Sequence, residues 1–380
     1  MSVYDVVVLG LGAMGSAASY HLARRGRRVL GLEQFGPAHD RGSSHGKSRI
    51  IREAYFEDPA YVPLVQRAYE LWEELQAAAG RSLLVITGGL MIGPRNGELV
   101  TGALASAERH RLPYELIDAS QIRDRVPVFR PDPETVAVAE PRAGVLFPED
   151  CVRAQLAAAS EAGADLRFSE RVTDWQPSAA GVEVRTERGR YEAGHLVIAA
   201  GPWAPQALGG LPVPLKVERN VMYWFRPAAR AEAFGPRRCP IWMWESARDA
   251  FIYYGFPAFG ADGLKIAHHH SGEFCSPETI RRDVSVEEVE RVRGMMARYL
   301  PDANGELLAT VTCMYTNTPD GHFIIDRHPS HDAVTIACGF SGHGFKFAPV
   351  IGEILADLAT DGRTRHTIDL FRLSRFTSSH

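Results

Sequence analysis

The chain of 380 residues is longer than one hydrophobic core usually supports, so two domains are expected. A net charge of −4 gives no basic footprint for nucleic acid or an anionic membrane, and the composition, 45% hydrophobic and 23% charged, is that of an ordinary globular protein. Five scattered cysteines (Cys151, Cys239, Cys275, Cys313, Cys338), no basic leader and no apolar run of membrane-spanning length point to a cytoplasmic protein.

Val6-Val7-Val8-Leu9 has the continuous apolar pattern of a parallel strand buried on both faces. Gly10, Gly12 and Gly15 follow in G-x-G-x-x-G spacing, then a helix from about Ala13 to Arg25, with Gly26 at the expected left-handed cap. A second strand, Arg28 to Leu32, ends in Glu33, whose carboxylate suits a ribose diol. Strand, glycines, helix, strand and acid in this order predict a bound ADP moiety, with FAD and NAD both open at this point. An acid at Glu33 argues against a 2′-phosphate.

The segment Gln34 to Lys47 reads as a long irregular loop. Ser48 to Glu53 reads as a helical turn, on which Arg49 and Arg52 share a face. Pro59 to Ala79 is a long amphipathic helix stopped by Gly80. From Leu83 to Pro148 short strands and turns are expected, with one short helix capped by Asp118 and Gln121. Asp150 is read as the cap of a helix through Ala162, and Ala164 to Thr173 as one strand. A hairpin turning at Arg188-Gly189 precedes a separate buried strand, His195 to Gly201. Leu211 to Cys313 fits an antiparallel sheet, broken by one helix with a Ser285/Glu288 capping box. Asp332 to Cys338 returns to a buried strand, opens into Gly339-Phe340-Ser341-Gly342-His343-Gly344-Phe345-Lys346, and leads to a helix over Pro349 to Ala359. Two glycine-rich strand-to-helix turns at opposite ends of the chain suit one long ligand held from both sides, which tilts the choice to FAD.

The fold expected is therefore α/β (α+β overall): a Rossmann-like FAD-binding domain (1–85, 149–212 and 322–380) with a second, mainly antiparallel-sheet substrate domain (86–148 and 213–321). In that second domain, period 2 places Lys265 and His269 on one face, Cys313 and Tyr315 on one face, and Tyr254 with Ile252 and Phe256. Taken singly, each has a bland reading: a solvated lysine, a structural thiol, a core tyrosine. A zinc site among His268, His269, His270, Cys239 and Cys275 is rejected, because no C-x-x-C or H-x-x-x-H unit exists. A serine-hydrolase elbow is also missing.

Three stretches change the weighing. Ser43-Ser44-His45-Gly46-Lys47-Ser48-Arg49-Ile50-Ile51-Arg52, Cys313-Met314-Tyr315-Thr316-Asn317-Thr318-Pro319-Asp320 and Gly339 to Phe347 resemble the monomeric sarcosine oxidase family. Its wider group includes N-methyltryptophan and pipecolate oxidases, within the D-amino-acid-oxidase-like flavoproteins. The resemblance runs end to end and implies FAD attached through its 8α carbon to the sulfur of Cys313. It implies a cofactor shell of Gly10, Gly12, Ala13, Met14, Gly15, Glu33, Gln34, Ser43, Ser44, His45, Arg49, Val172, Gly201, Gly342, Gly344, Phe345 and Lys346. Arg52 and Lys346 match the pair that grips the substrate carboxylate. Tyr254, Tyr315 and His269 match the walls around the amine, His45 and Arg49 the surroundings of the flavin ring, and Lys265 the residue that activates O₂. The implied reaction is oxidative demethylation of sarcosine to glycine, formaldehyde and H₂O₂ by a monomer. N-methyltryptophan or a cyclic imino acid are alternative substrates, and an NAD-linked dehydrogenase or a non-catalytic flavoprotein are remote ones. Trp242 and Trp244 are read as candidates to close the pocket or to face an aromatic substrate.

Overall fold

The computed structural model describes residues 3–249 and 251–376. Its first layer is an eight-stranded sheet. The strand Val3–Leu9 lies parallel to Val29–Leu32 on one side and Arg190–Ile198 on the other. Asp165–Arg167 and His331–Cys338 extend the parallel order outward, and Ile324–His328 closes that edge antiparallel. Val6, Val7 and Val8 are buried because helices and loops cover both faces, as their unbroken apolar run requires.

The helix Ala13–Arg24 leaves the first strand, and Ala348–Asp361 leaves the last one. These helices cross at Gly352, where an added Cβ would fall 2.5 Å from the Cβ of Ala17. This close crossing brings the N-terminal and C-terminal glycine-rich turns side by side.

The second layer is a nine-stranded sheet, antiparallel except where Ile241–Glu245 runs parallel to Gly89–Pro94. Its long central strand, Lys216–Phe225, pairs with Leu307–Asn317 on one side and Leu264–His269 on the other. Alternation divides its side chains cleanly. Tyr223, Phe225, Trp242, Trp244, Tyr253 and Ile266 form a core with Val292, Met295, Met296 and Tyr299 of the helix Val286–Tyr299. Asn220, Met222, Lys265, Ala267, Tyr254, Met243 and Cys313 face the other way, in register with one another. A short third sheet joins Arg49–Ile51, Leu84–Ile86 and Gly144–Leu146.

Five local expectations need correction. Arg49–Ile51 is a strand, not a helical turn, because it pairs with Gly144–Leu146; Arg49 and Arg52 meet by tertiary folding rather than by helical spacing. A helix over Glu98–His110 lies inside the stretch expected to hold only short strands and one short helix, and it buries Leu99, Val100, Ala103 and Ala107. The helix Pro148–Glu161 starts at a proline; Asp150 sits in its first turn, ion-paired to Arg81 at 2.6 Å, and caps nothing. Ala164 to Thr173 divides into Asp165–Arg167 and Val172–Ser178, since Ser169 turns out at φ +53° and the next peptide hydrogen-bonds to the Glu33 carbonyl. The hairpin return and the following buried strand are a single strand, Arg190–Ile198. Among the described residues, no helix is long and apolar enough to cross a membrane.

Candidate active site

A long cleft of about 280 Å³ runs along the carboxyl ends of the parallel strands. Ligands bind in such sheets at this place. Gly10, Gly12, Ala13, Met14, Glu33, Gln34, Ser43, Ser44 and Arg49 line it from the N-terminal side. Val172, Gly201, Gly342, Gly344 and Phe345 line it from later segments. Gly10 takes φ +88°, and a Cβ there would meet the Ala199 carbonyl oxygen at 2.6 Å. Gly12, the helix N-cap, carries no side-chain acceptor, and a Cβ on it would stand in the cleft with only Ser44 Oγ within 4 Å. The helix N-terminus is therefore open to an anionic diphosphate. Glu33 is held in place because its two oxygens accept from Leu11 N at 2.9 Å and Phe35 N at 3.0 Å. The cleft's length, its open helix N-terminus and its acid at the far end fit FAD.

A second cavity of about 60 Å³ continues from the cleft; Arg49, Tyr315, Gly342 and Phe345 line both. Its floor is the outward face of the large sheet: Asn220, Met222, Met243, Tyr254, His269 and Cys313. Arg52, Glu57, His343 and Lys346 close it from above the first layer. Of the five cysteines, Cys313 alone lines either space, 3.8 Å from Arg49 Nη2.

Arg52 is buried, with Nη2 donating to both oxygens of Glu57 at 2.7 and 2.8 Å and Nη1 donating to the Ala54 carbonyl. Burial alone would raise the Glu57 carboxyl, but Arg52, His343 and Lys346 hold it below its ordinary value. Lys346 Nζ donates to the His343 carbonyl at 2.6 Å. Burial, reinforced by Arg52, lowers this ammonium to about 7. The chain leading out of Arg52 is pinned by Glu140, which accepts from the backbone N–H of Glu53 at 2.6 Å and of Ala54 at 2.9 Å.

His269 and Tyr315 lie 3.4 Å apart across the cavity wall. Burial and the cations around it push His269 far below its usual value, so the imidazole is neutral. Burial raises the hydroxyls of Tyr254 and Tyr315. Lys265 lies beneath the floor and lines neither space: its Nζ donates to the carbonyls of Gly46 and Ser48, both at 2.8 Å, and faces the Phe256 ring. Burial drives it well below its ordinary value, and Arg49 adds to the effect. His45 is also buried behind the wall, held to the Gly42 carbonyl at 3.0 Å. Gly15 sits off the cleft, packed so tightly that a Cβ would overlap the Gly10 carbonyl.

Trp242 and Trp244 do not face the cavity. They are fully buried in the core on the opposite side of the sheet, and Met243, the residue between them, lines the cavity. Glu57, Asn220, Met222 and Glu140 were not singled out by residue type or spacing, although all four bound or support the site.

The profile of the FAD dependent oxidoreductase family matches residues 5–358. The chain belongs to that family. It is 52% identical over 379 residues to monomeric sarcosine oxidase of Streptomyces avermitilis, covering 99% of this chain and 98% of that one. It is 38% identical to N-methyl-L-tryptophan oxidase of Yersinia pestis, with 98% and 99% coverage. Among solved structures, NikD, described as an unusual amino acid oxidase essential for nikkomycin biosynthesis, superposes with a TM-score of 0.85 at 26% identity, over 98% of this chain and 98% of the other. Family membership agrees with the FAD fit of the cleft and with the two-layer α/β architecture.

Proposed function

We propose that this FAD-dependent amine oxidase oxidises a small secondary amino acid, sarcosine first among them. One observation carries the reading. Two buried cations, Arg52 and Lys346, face a small cavity that opens directly onto the dinucleotide cleft beside Cys313.

FAD, when bound, supplies the two-electron oxidation of the amine and passes both electrons to O₂. The remaining work falls to the protein. Arg52 and Lys346 carry two positive charges against one on Glu57, which leaves a surplus for one substrate carboxylate. The amine nitrogen then meets neutral His269 and the unionised hydroxyls of Tyr254 and Tyr315. Among the described residues that line the cavity, the one carboxylate, Glu57, is already paired with Arg52, so the site favours the unprotonated amine, the form able to give up a hydride equivalent from its N-methyl carbon. Loss of that hydride and of the N–H proton leaves an imine, which water hydrolyses to glycine and formaldehyde. O₂ takes up the two electrons and two protons as H₂O₂.

Lys265, held between two carbonyls under the site, is assigned to O₂ activation, and His45 and Arg49 to the electrostatics of the cofactor ring. The covalent link to Cys313 is part of the same proposal, supported by the placing of this sulfur on the wall where cleft and cavity join. The cavity's small volume and its wall of Met243, Tyr254 and Phe256 favour sarcosine over an indole-bearing substrate. Incubating the purified protein with sarcosine in air tests the reading. Equal amounts of formaldehyde and H₂O₂ are expected; neither product forming would refute it.

A further inference from the structure

Two side-chain donors on the walls of the substrate cavity are buried without a hydrogen-bond partner: Arg52 Nε and Asn220 Nδ2. The first belongs to the carboxylate pocket already described. The second has no assigned purpose. Buried donors are normally satisfied, and an orphan costs the full desolvation of the group.

Asn220 is 2% exposed, in the middle of the strand Lys216–Phe225 and directly across from Cys313. Its orientation is determined by its neighbour, since Oδ1 accepts the Ser271 N–H at 3.2 Å. A flipped amide would set two donors against each other, so Nδ2 is the atom left over. Other polar groups on this face are engaged. Glu218, two residues earlier, accepts from Gly272 N, His270 and Asn317. Lys265 is bound to two carbonyls, and Arg49 to the carbonyls of Ser43 and Ser48. Of the other residues around the cavity, Met222, Met243 and Phe256 are apolar, and none of Tyr254, His269, Cys313 and Tyr315 accepts a hydrogen bond from Nδ2.

We infer that Asn220 is a specificity-determining residue whose Nδ2 donates to an oxygen acceptor on the substrate, so that among secondary amino acids larger than sarcosine the cavity prefers those bearing a hydroxyl or carbonyl oxygen. This rests on the amine-oxidase reading and narrows its substrate class. The carboxylate is held by Arg52 and Lys346, and Asn220 adds a second polar anchor from the sheet floor. A cavity that hydrogen-bonds an oxygen rejects the analogue lacking it far more strongly than an apolar wall rejects one methylene.

The test uses holoenzyme and two near-isosteric pairs. One pair is N-methyl-L-serine and N-methyl-L-2-aminobutyrate, which places the oxygen on the side chain. The other is N-(2-hydroxyethyl)glycine and N-propylglycine, which places it on the N-alkyl arm. The wild-type kcat/KM should favour the oxygen-bearing member of at least one pair by about tenfold or more. In Asn220→Leu, which keeps the heavy-atom shape and removes the donor, that ratio should collapse toward one. Ratios near one in the wild type overturn the inference without need of the variant. An unchanged ratio in a folded Asn220→Leu protein overturns it as well. Sarcosine run alongside separates the two levels: turnover without discrimination removes only Asn220's role, whereas no turnover of any of the five amines removes the oxidase reading itself.

Discussion

Burial sets the charge of Lys346, and that charge sets the affinity for a carboxylate. Its ammonium is lowered to about 7, against an ordinary value above 10. Below pH 7 the site holds two cations and one anion; above it the surplus positive charge is lost. Binding of propionate, which has no amine to titrate, should therefore be full below pH 7 and weaken as the pH rises through that region, followed by perturbation of the flavin spectrum. A flat profile from pH 6 to 9 would contradict the assignment. Cys313 makes a separate prediction at the same scale. Acid precipitation of the wild type should leave the yellow colour with the protein, and Cys313→Ser should release it to the supernatant. The pairing of Cys313 with Tyr315 and of Lys265 with His269 was legible because a strand's period of 2 is strict. Asn220 and Glu57 were not, because an asparagine in a strand or an acid in a loop carries no mark of what it will face.

Elements hold these residues in place, and the strand Thr135–Glu140 shows how. Its last side chain accepts two backbone N–H groups from the segment that follows Arg52. Glu140→Gln puts an amide donor where one of those N–H groups needs an acceptor, which costs about 1–3 kcal/mol. A lower thermal midpoint together with a raised sarcosine KM is expected; unchanged values for both would show that Glu140 does not position the Arg52 segment. Elements with strong local signals were legible in advance, among them the glycine-rich turn at Gly10 and the Ser285/Glu288 capping box, both present. Elements defined by partners were not. Arg49–Ile51 is a strand only because Gly144–Leu146 lies beside it. Trp242 and Trp244 could be placed on a face only once the register with Tyr253 and Gly255 was known. The helix Glu98–His110 does carry an apolar stripe, but it is interrupted by Thr101 and Gly102 and follows a glycine cap with no side-chain acceptor.

At the scale of the molecule, two sheets from distant parts of the chain meet along one cleft, and the chemistry sits where they join. The first sheet and its crossed helices supply the glycine-rich turns, and the large sheet supplies the floor under the substrate cavity. This division was legible in the alternation of buried runs and hairpins. The central claim is that a carboxylate held by Arg52 and Lys346 presents its amine to FAD in the adjoining cleft. Anaerobic mixing of the yellow protein with sarcosine tests this most directly, with the flavin absorbance followed in time. Rapid bleaching is the predicted result, saturating with sarcosine and, in Arg52→Ala, requiring roughly 30-fold or more sarcosine, as the loss of about 2 kcal/mol or more from a buried charge contact dictates. A flavin that stays oxidised in the wild type, or bleaches at the same sarcosine concentration in Arg52→Ala, would contradict it.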